Sequence, residues 1–174
     1  MLGKLKCIIT GLLTFSLICE SAILQADQTV KQPLFRIERN TNINIIQYDA
    51  QVGPTGKLDS KKPVVAYWIR LAEHRQREEL SWIQRKFAYG FKSKFDRKTD
   101  TATLEMAADI GRLIKVQKDE ETYKAIADIN GKASQIVKIF IHATGKGLSA
   151  KVDFIELHGI DLDTGNKTFE RFVP

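Results

Sequence analysis

From residue 34 onward, apolar side chains recur mostly at every second position, the spacing of strands with one buried face. In Leu34–Arg39, Phe35 and Ile37 fall on one side and Arg36 and Glu38 on the other. Ile43–Val52 is rich in isoleucine and tyrosine, and the Asn40–Asn42 turn before it predicts a hairpin. Val64–Leu71 carries strong strand formers and is apolar on both sides apart from Arg70. Lys92–Asp96 is a short strand candidate. Ala102, Leu104, Met106, Ala108 and Ile110 then share a face, as do Ile114 with Val116, and Tyr123, Ala125, Ala127 and Ile129. Asn130-Gly131 suits a two-residue hairpin turn with positive φ at both positions, which sends the chain into Gln135–His142. Gly145 and Gly147 mark a loop, Lys151–His158 a further strand, and Asp163–Asn166 the turn before Thr168–Val173.

One stretch breaks this period. In Arg77–Phe91 (REELSWIQRKFAYGF), Leu80, Ile83, Phe87 and Phe91 recur at three- and four-residue steps, which predicts a helix over about 77–90. Glu78 and Glu79 complement the dipole at its start, and Gly90 is a stop signal. A lone helix cannot bury its own stripe, so the stripe is expected to dock on the sheet as a lid or brace. The expected fold class is mostly β (α+β): an antiparallel meander of about eight strands, without parallel crossovers, closing into a barrel or sandwich with the helix packed on it.

The first 26 residues have another character. Lys4 and Lys6 precede an apolar run, Ile8–Ile18, and small residues follow at Ser21, Ala22 and Ala26. This is the layout of a signal peptide cleaved after Ser21 or Ala26, and the run is short for a membrane span. The expected organisation is a signal peptide at 1–26, a short tether at 27–33 and a single β-rich domain at 34–174. That chain would be exported to the periplasm or the extracellular space, as a monomer with no span after processing. Cys7 and Cys19 both lie in the leader, so the domain has neither disulfide nor cysteine metal site. Ile18 before Cys19 is too bulky for a lipoprotein signal. The chain is 43% hydrophobic and 28% charged, enough for a core. Its net charge of +6 becomes +5 once Lys4, Lys6 and Glu20 are removed, with 25 basic against 20 acidic side chains. The signs are interspersed, which points to a solvated surface and not to nucleic acid.

No glycine-rich phosphate loop, nucleophile elbow or HExxH motif occurs. His142, His158 and Glu156 sit on neighbouring strands, where two imidazoles and a carboxylate suit a metal, although ordinary strand-end histidines are the simpler reading; His74 stands apart. Asp161, Asp163 and Gly165 resemble the start of a calcium loop, but its twelfth position is Phe172, so a turn is expected. No metal or cofactor is therefore expected. Charged residues embedded in apolar faces carry more information: Arg70 with Val64, Ala66 and Trp68; Lys138 with Ile136, Phe140 and His142; Glu156 and His158 with Val152 and Phe154. Pointing inward, they would orient a ligand; at strand ends they would snorkel to water. The binding reading takes Tyr48, Tyr67, Trp68, Arg70, Trp82, Arg85, Tyr89 and Lys138 as the lining of a pocket for a small anionic or amphipathic ligand. Two alternatives stand beside it. One is a hydrolase using Glu38, Glu156 or His158 as acid or base. The other is a structural envelope protein that binds a partner protein through an exposed Trp82–Tyr89 face.

The phrases PLFRIERN, NIIQYDA, PVVAYWIRLAE, REELSWIQRKFAYGF and ELHGIDLDTG together resemble a bacterial family of exported proteins known only as domain of unknown function 4833. The resemblance spans roughly Pro33–Phe172. It implies a single domain and a bacterial envelope setting, and brings no activity, ligand or site residues.

Overall fold

In the computed structural model the described residues are 29–108, 110–145 and 151–174. The leader reading, both cysteines and Gly147 lie outside them. The strands are β1 (Val30–Arg39), β2 (Asn42–Val52), β3 (Val64–Arg70), β4 (Gln76–Glu79), β5 (Phe91–Asp96), β6 (Thr101–Met106), β7 (Ile114–Asp119), β8 (Thr122–Ile129), β9 (Lys132–Thr144), β10 (Lys151–Asp161) and β11 (Lys167–Phe172). The helix α1 is Trp82–Phe87. Turn chemistry sets several of these boundaries. Asn130 and Gly131 adopt φ of 55° and 76°, the positive pair that the β8–β9 hairpin needs. The Asp161 carboxylate accepts from the Asp163 and Thr164 amides, so the acidic loop is a turn that builds the β10–β11 hairpin.

Nine strands follow one another in the order β4-β3-β2-β1-β9-β8-β7-β6-β5, while β10 and β11 extend from the other edge of β9. The sheet is not a pure antiparallel meander. β1 runs parallel to β9, with Arg36–Arg39 beside Lys138–Ile141. Such a pair joins segments far apart in the chain and leaves no local turn signal. On one edge β9 carries β8 along Lys132–Gln135 and β1 along Lys138–Ile141, while β10 occupies the opposite edge. Two arms, β1–β4 and β8–β5, thus leave one spine and curl over one core that includes Ile46, Tyr48, Leu104, Ile114, Val116, Ile136, Ile139 and Leu157. Of the barrel or sandwich expected, the sheet forms an open half-barrel and not a closed barrel. β4 and β5 are its two ends, and α1 joins them.

The helix is shorter than its periodicity implied. Positive φ at His74 and Arg75 folds the chain back, and Gln76–Glu79 pairs with Arg70–Tyr67 as β4. Strand pairing with β3 outcompetes the helical preference of the three residues after Gln76. The helix then starts at the better cap: Ser81 Oγ accepts from the Gln84 amide, and Gln84 Oε1 accepts from the Ser81 amide. No α1 residue is buried. Of the expected docking stripe, Leu80 is buried and Phe91 half-buried, while Ile83 and Phe87 are exposed. β1 also begins earlier than expected, since Val30–Pro33, read as tether, pair with Val52–Asp49.

Bulges account for the misplaced faces. On β9, Lys138 opposes His158 but Ile136 opposes Gly159, so Val137 is an extra residue. Ile136 therefore enters the core while Lys138 points outward, although their spacing put them on one side. A second shift at Asp153 separates Val152, which packs against the core, from Phe154, Glu156 and His158 on the outer face.

Candidate functional site

Three of the eight binding candidates come together under α1. Tyr48 is buried and its hydroxyl donates to the Tyr89 carbonyl at 2.6 Å. Trp68 meets the Tyr89 ring edge-on, with centroids 5.5 Å apart, and its Nε1 donates to Gln84 Oε1 at 3.1 Å. The residue that completes the cluster is Arg39, which sequence reasoning missed. Its guanidinium lies 4.9 Å from the Trp68 ring and 5.2 Å from the Tyr89 ring, and Nη1 donates to the Tyr89 hydroxyl at 2.5 Å. Ring faces thus take the place of a carboxylate around this cation. Burial raises the Tyr48 and Tyr89 phenols above their ordinary pKa, so both stay protonated, Tyr48 as a donor and Tyr89 as the acceptor of the Arg39 bond. Gln84 and Tyr89 are what tie the helix to the sheet, in place of the expected apolar stripe. The signal for Arg39 was present in the alternation: Phe35 and Ile37 point inward, and the next residue on that side is Arg39.

The other five candidates lie elsewhere. Tyr67 is on the outer face, where its hydroxyl donates to buried Asp49 at 2.5 Å and Lys31 and Arg77 lie over its ring. Arg70 sits at the end of β3 and pairs with Glu78 across β4 at 2.5 Å. Lys138 is outside, 3.6 Å from Glu38. Trp82 is exposed on α1, and Arg85 pairs with Glu79.

Arg85 nevertheless borders an opening. Since β4 pairs only with Tyr67–Arg70, the first half of β3 has no strand neighbour on that edge among the described residues. There, a cleft of about 170 Å³ lies between the two ends of the sheet. Its walls are Val64, Val65, Ala66, Leu80 and Phe91, with Gly90 at its back. Lys62, Arg85 and Glu79 are its charged lining. A second depression, of about 360 Å³, on the other side of Arg85 reaches Lys92, Glu105 and Met106. Of the cleft, sequence reasoning named Arg85 as a ligand contact and Leu80 and Phe91 as packing residues. Lys62 and the β3 edge carried no signal of their own, because which half of β3 stays unpaired follows from the length of β4.

The acid–base candidates share the outer face without sharing a cleft. Glu38 borders a groove with Arg36, Gln47, Ile69 and Arg75. Phe140 stands between Glu38 and Glu156 in the cross-strand row, and Glu156 pairs with Arg171 at 2.5 Å and His158 at 3.1 Å. Burial pushes both carboxyls up, but the basic partners (Arg36 and Lys138 for Glu38, Arg171 and His158 for Glu156) hold them below the ordinary carboxylate value. That suits ion pairs and opposes a proton-donating role. His142 stacks on Phe154 and meets Asp153 at 3.0 Å, opposite a different part of β10 from His158, so the two imidazoles do not converge. Among the described residues no group of three or more His, Cys, Asp or Glu is placed to hold a metal.

A family model described as Domain of unknown function (DUF4833) matches residues 35–171. No curated protein and no solved structure matches the chain.

Proposed function

The chain belongs to the DUF4833 family, whose description carries no activity, and from that premise we propose that it is an exported binding module for a small amphipathic ligand with an acidic head. The observation that carries this reading is the cleft between β3 and Phe91: apolar walls with Lys62 and Arg85 beside them. A cavity of about 150 Å³ accepts benzene, so the cleft suits a ring or a short alkyl end. The acidic head would lie against Lys62 and compete with Glu79 for Arg85. The cleft offers no nucleophile–base pair, so the reading is one of binding and not of turnover.

Isothermal titration with a series of alkyl carboxylates, alkyl phosphates and matching alcohols tests it. Acidic members are expected to bind and the alcohols to bind at least about tenfold more weakly, the loss of one charge-assisted contact. Lys62→Ala with Arg85→Ala is expected to erase that preference. Equal affinity for acids and alcohols, or acid binding unchanged in the double variant, would refute the assignment.

A further inference from the structure

The two-turn helix wears its apolar side chains on the outside. Trp82, Ile83 and Phe87 are 67%, 59% and 62% exposed, and no residue of α1 is buried. Gln84 and Tyr89 hold the helix in place, so the packing has no use for large apolar groups at these three positions. Single exposed apolar residues are ordinary, but a contiguous set on one projection is not. The Trp82 and Phe87 rings meet edge-on at 6.3 Å, and Lys86 Nζ lies 5.0 Å and 5.1 Å from their centroids. They form one patch with a cation at its centre.

Within the segment that carries the patch the charge has a single sign. From Leu80 to Phe95 the charged side chains are Arg85, Lys86, Lys92 and Lys94, with no carboxylate among them. Glu79 and Glu105 offset Arg85 and Lys92. Among the described residues Lys86 and Lys62 meet no carboxylate. We propose that this projection docks on an anionic lipid bilayer, with Trp82, Ile83 and Phe87 entering the interfacial layer and Lys62, Lys86, Lys92 and Lys94 against phosphate headgroups. Two features favour lipid over protein. A projecting knob needs a matching pocket on a protein, whereas a bilayer accepts it anywhere. Tryptophan beside lysine is also the composition that settles at headgroup depth. The proposal stands independently of the ligand reading, although it would bring the Arg85 cleft to the membrane surface.

The test uses the full chain in every sample, so residues 1–26 are common to all the variants compared. Trp82 is the local reporter, because the other tryptophan, Trp68, is buried. With vesicles of phosphatidylglycerol and phosphatidylcholine, the Trp82 emission (wild type minus Trp82→Phe) is expected to shift to the blue, lose iodide quenching and be quenched by lipid labelled near the headgroup. Pure phosphatidylcholine should produce none of this. Trp82→Ser with Phe87→Ser is expected to lower vesicle partitioning at least about tenfold. Lys86→Ala should lower it about fivefold, with the Tm unchanged in both variants. Three results would overturn the proposal: iodide-accessible Trp82 in vesicle-bound protein, equal partitioning of the double variant, or protection of Trp82 without vesicles in step with dimerisation, which would assign the patch to a second copy of the chain.

Discussion

Gly90→Ala probes the joint between helix and sheet. A Cβ at Gly90 would lie 1.8 Å from the Arg85 carbonyl oxygen and 2.6 Å from its carbon, against backbone and not the end of a flexible side chain. The oxygen would have to retreat by about 1 Å or more before an ordinary contact is reached. It cannot do so alone, because Arg85 sits between Gln84, whose Oε1 takes the Trp68 indole proton, and Tyr89, whose carbonyl takes the Tyr48 hydroxyl. Moving the last turn strains both bonds, each about 1–2 kcal/mol when a buried partner is orphaned. Displacement of Leu80 and Tyr89 adds an overpacking cost of about 1–2 kcal/mol. The expected loss is about 3–6 kcal/mol, read as a fall in the urea midpoint at unchanged slope. Gly53→Ala is the control: its nearest neighbour, the Lys57 carbonyl, is at 3.7 Å, and the change should stay within about 0.5 kcal/mol. A Gly90→Ala protein within 1 kcal/mol of wild type would show that α1 is not held against the sheet through this contact.

Glu170 on β11 receives both Nη atoms of Arg112 at 2.8 Å and the Asn130 amide at 2.6 Å, which tie the last strand to the β8–β9 turn. The Arg112 hydrogen bonds, against the opposing effect of burial, hold its carboxyl below the ordinary value. A lowered folded-state pKa stabilises above the unfolded value and fades as pH falls through the folded one. Glu170→Gln should therefore cost about 1–2 kcal/mol near neutrality, and the gap to wild type should shrink below about pH 4; a pH-independent gap in urea titrations would contradict the ion pair. On β10, a Cβ at Gly159 would meet the Gln135 carbonyl and Ile129 Cδ1, both at 2.6 Å. Gly159→Ala should thus cost about 1–3 kcal/mol, with Ile129→Val restoring part of it; no recovery in the double variant would place the strain at the backbone alone.

Strand identity was legible because most strands obey the same two-residue alternation that the core imposes. Tyr123, Ala125, Ala127 and Ile129 were read as one face and are buried together. The Asn130-Gly131 turn was legible for the same reason: its φ requirement is local. What failed was non-local. The β1–β9 parallel pair joins residues about a hundred positions apart, and neither segment signals its partner. A bulge such as the one at Val137 inverts every assignment beyond it, since a one-residue slip moves a side chain to the opposite face. Lys138 was misread on that account and Arg39 went unread. Tyr48, Trp68 and Tyr89 were nominated for their chemistry and do converge, but as a buried polar–aromatic anchor for α1.

One local outcome underlies both proposed surfaces. Had Arg77–Phe91 formed the continuous helix that its periodicity describes, Leu80, Ile83, Phe87 and Phe91 would share a face able to cover the β3–β5 gap. Instead the turn at His74 and Arg75 delivers Gln76–Glu79 to β3, and the helix restarts from the Ser81 cap. That restart divides the stripe: Leu80 and Phe91 become walls of the cleft, while Ile83 and Phe87 join Trp82 outside. The same four-residue strand is too short to shield the first half of β3, so the cleft stays open beside Arg85. The open seam and the apolar knob are therefore two consequences of ending β4 at Glu79, and a change that melted β4 in favour of a longer helix would close the one and bury the other together.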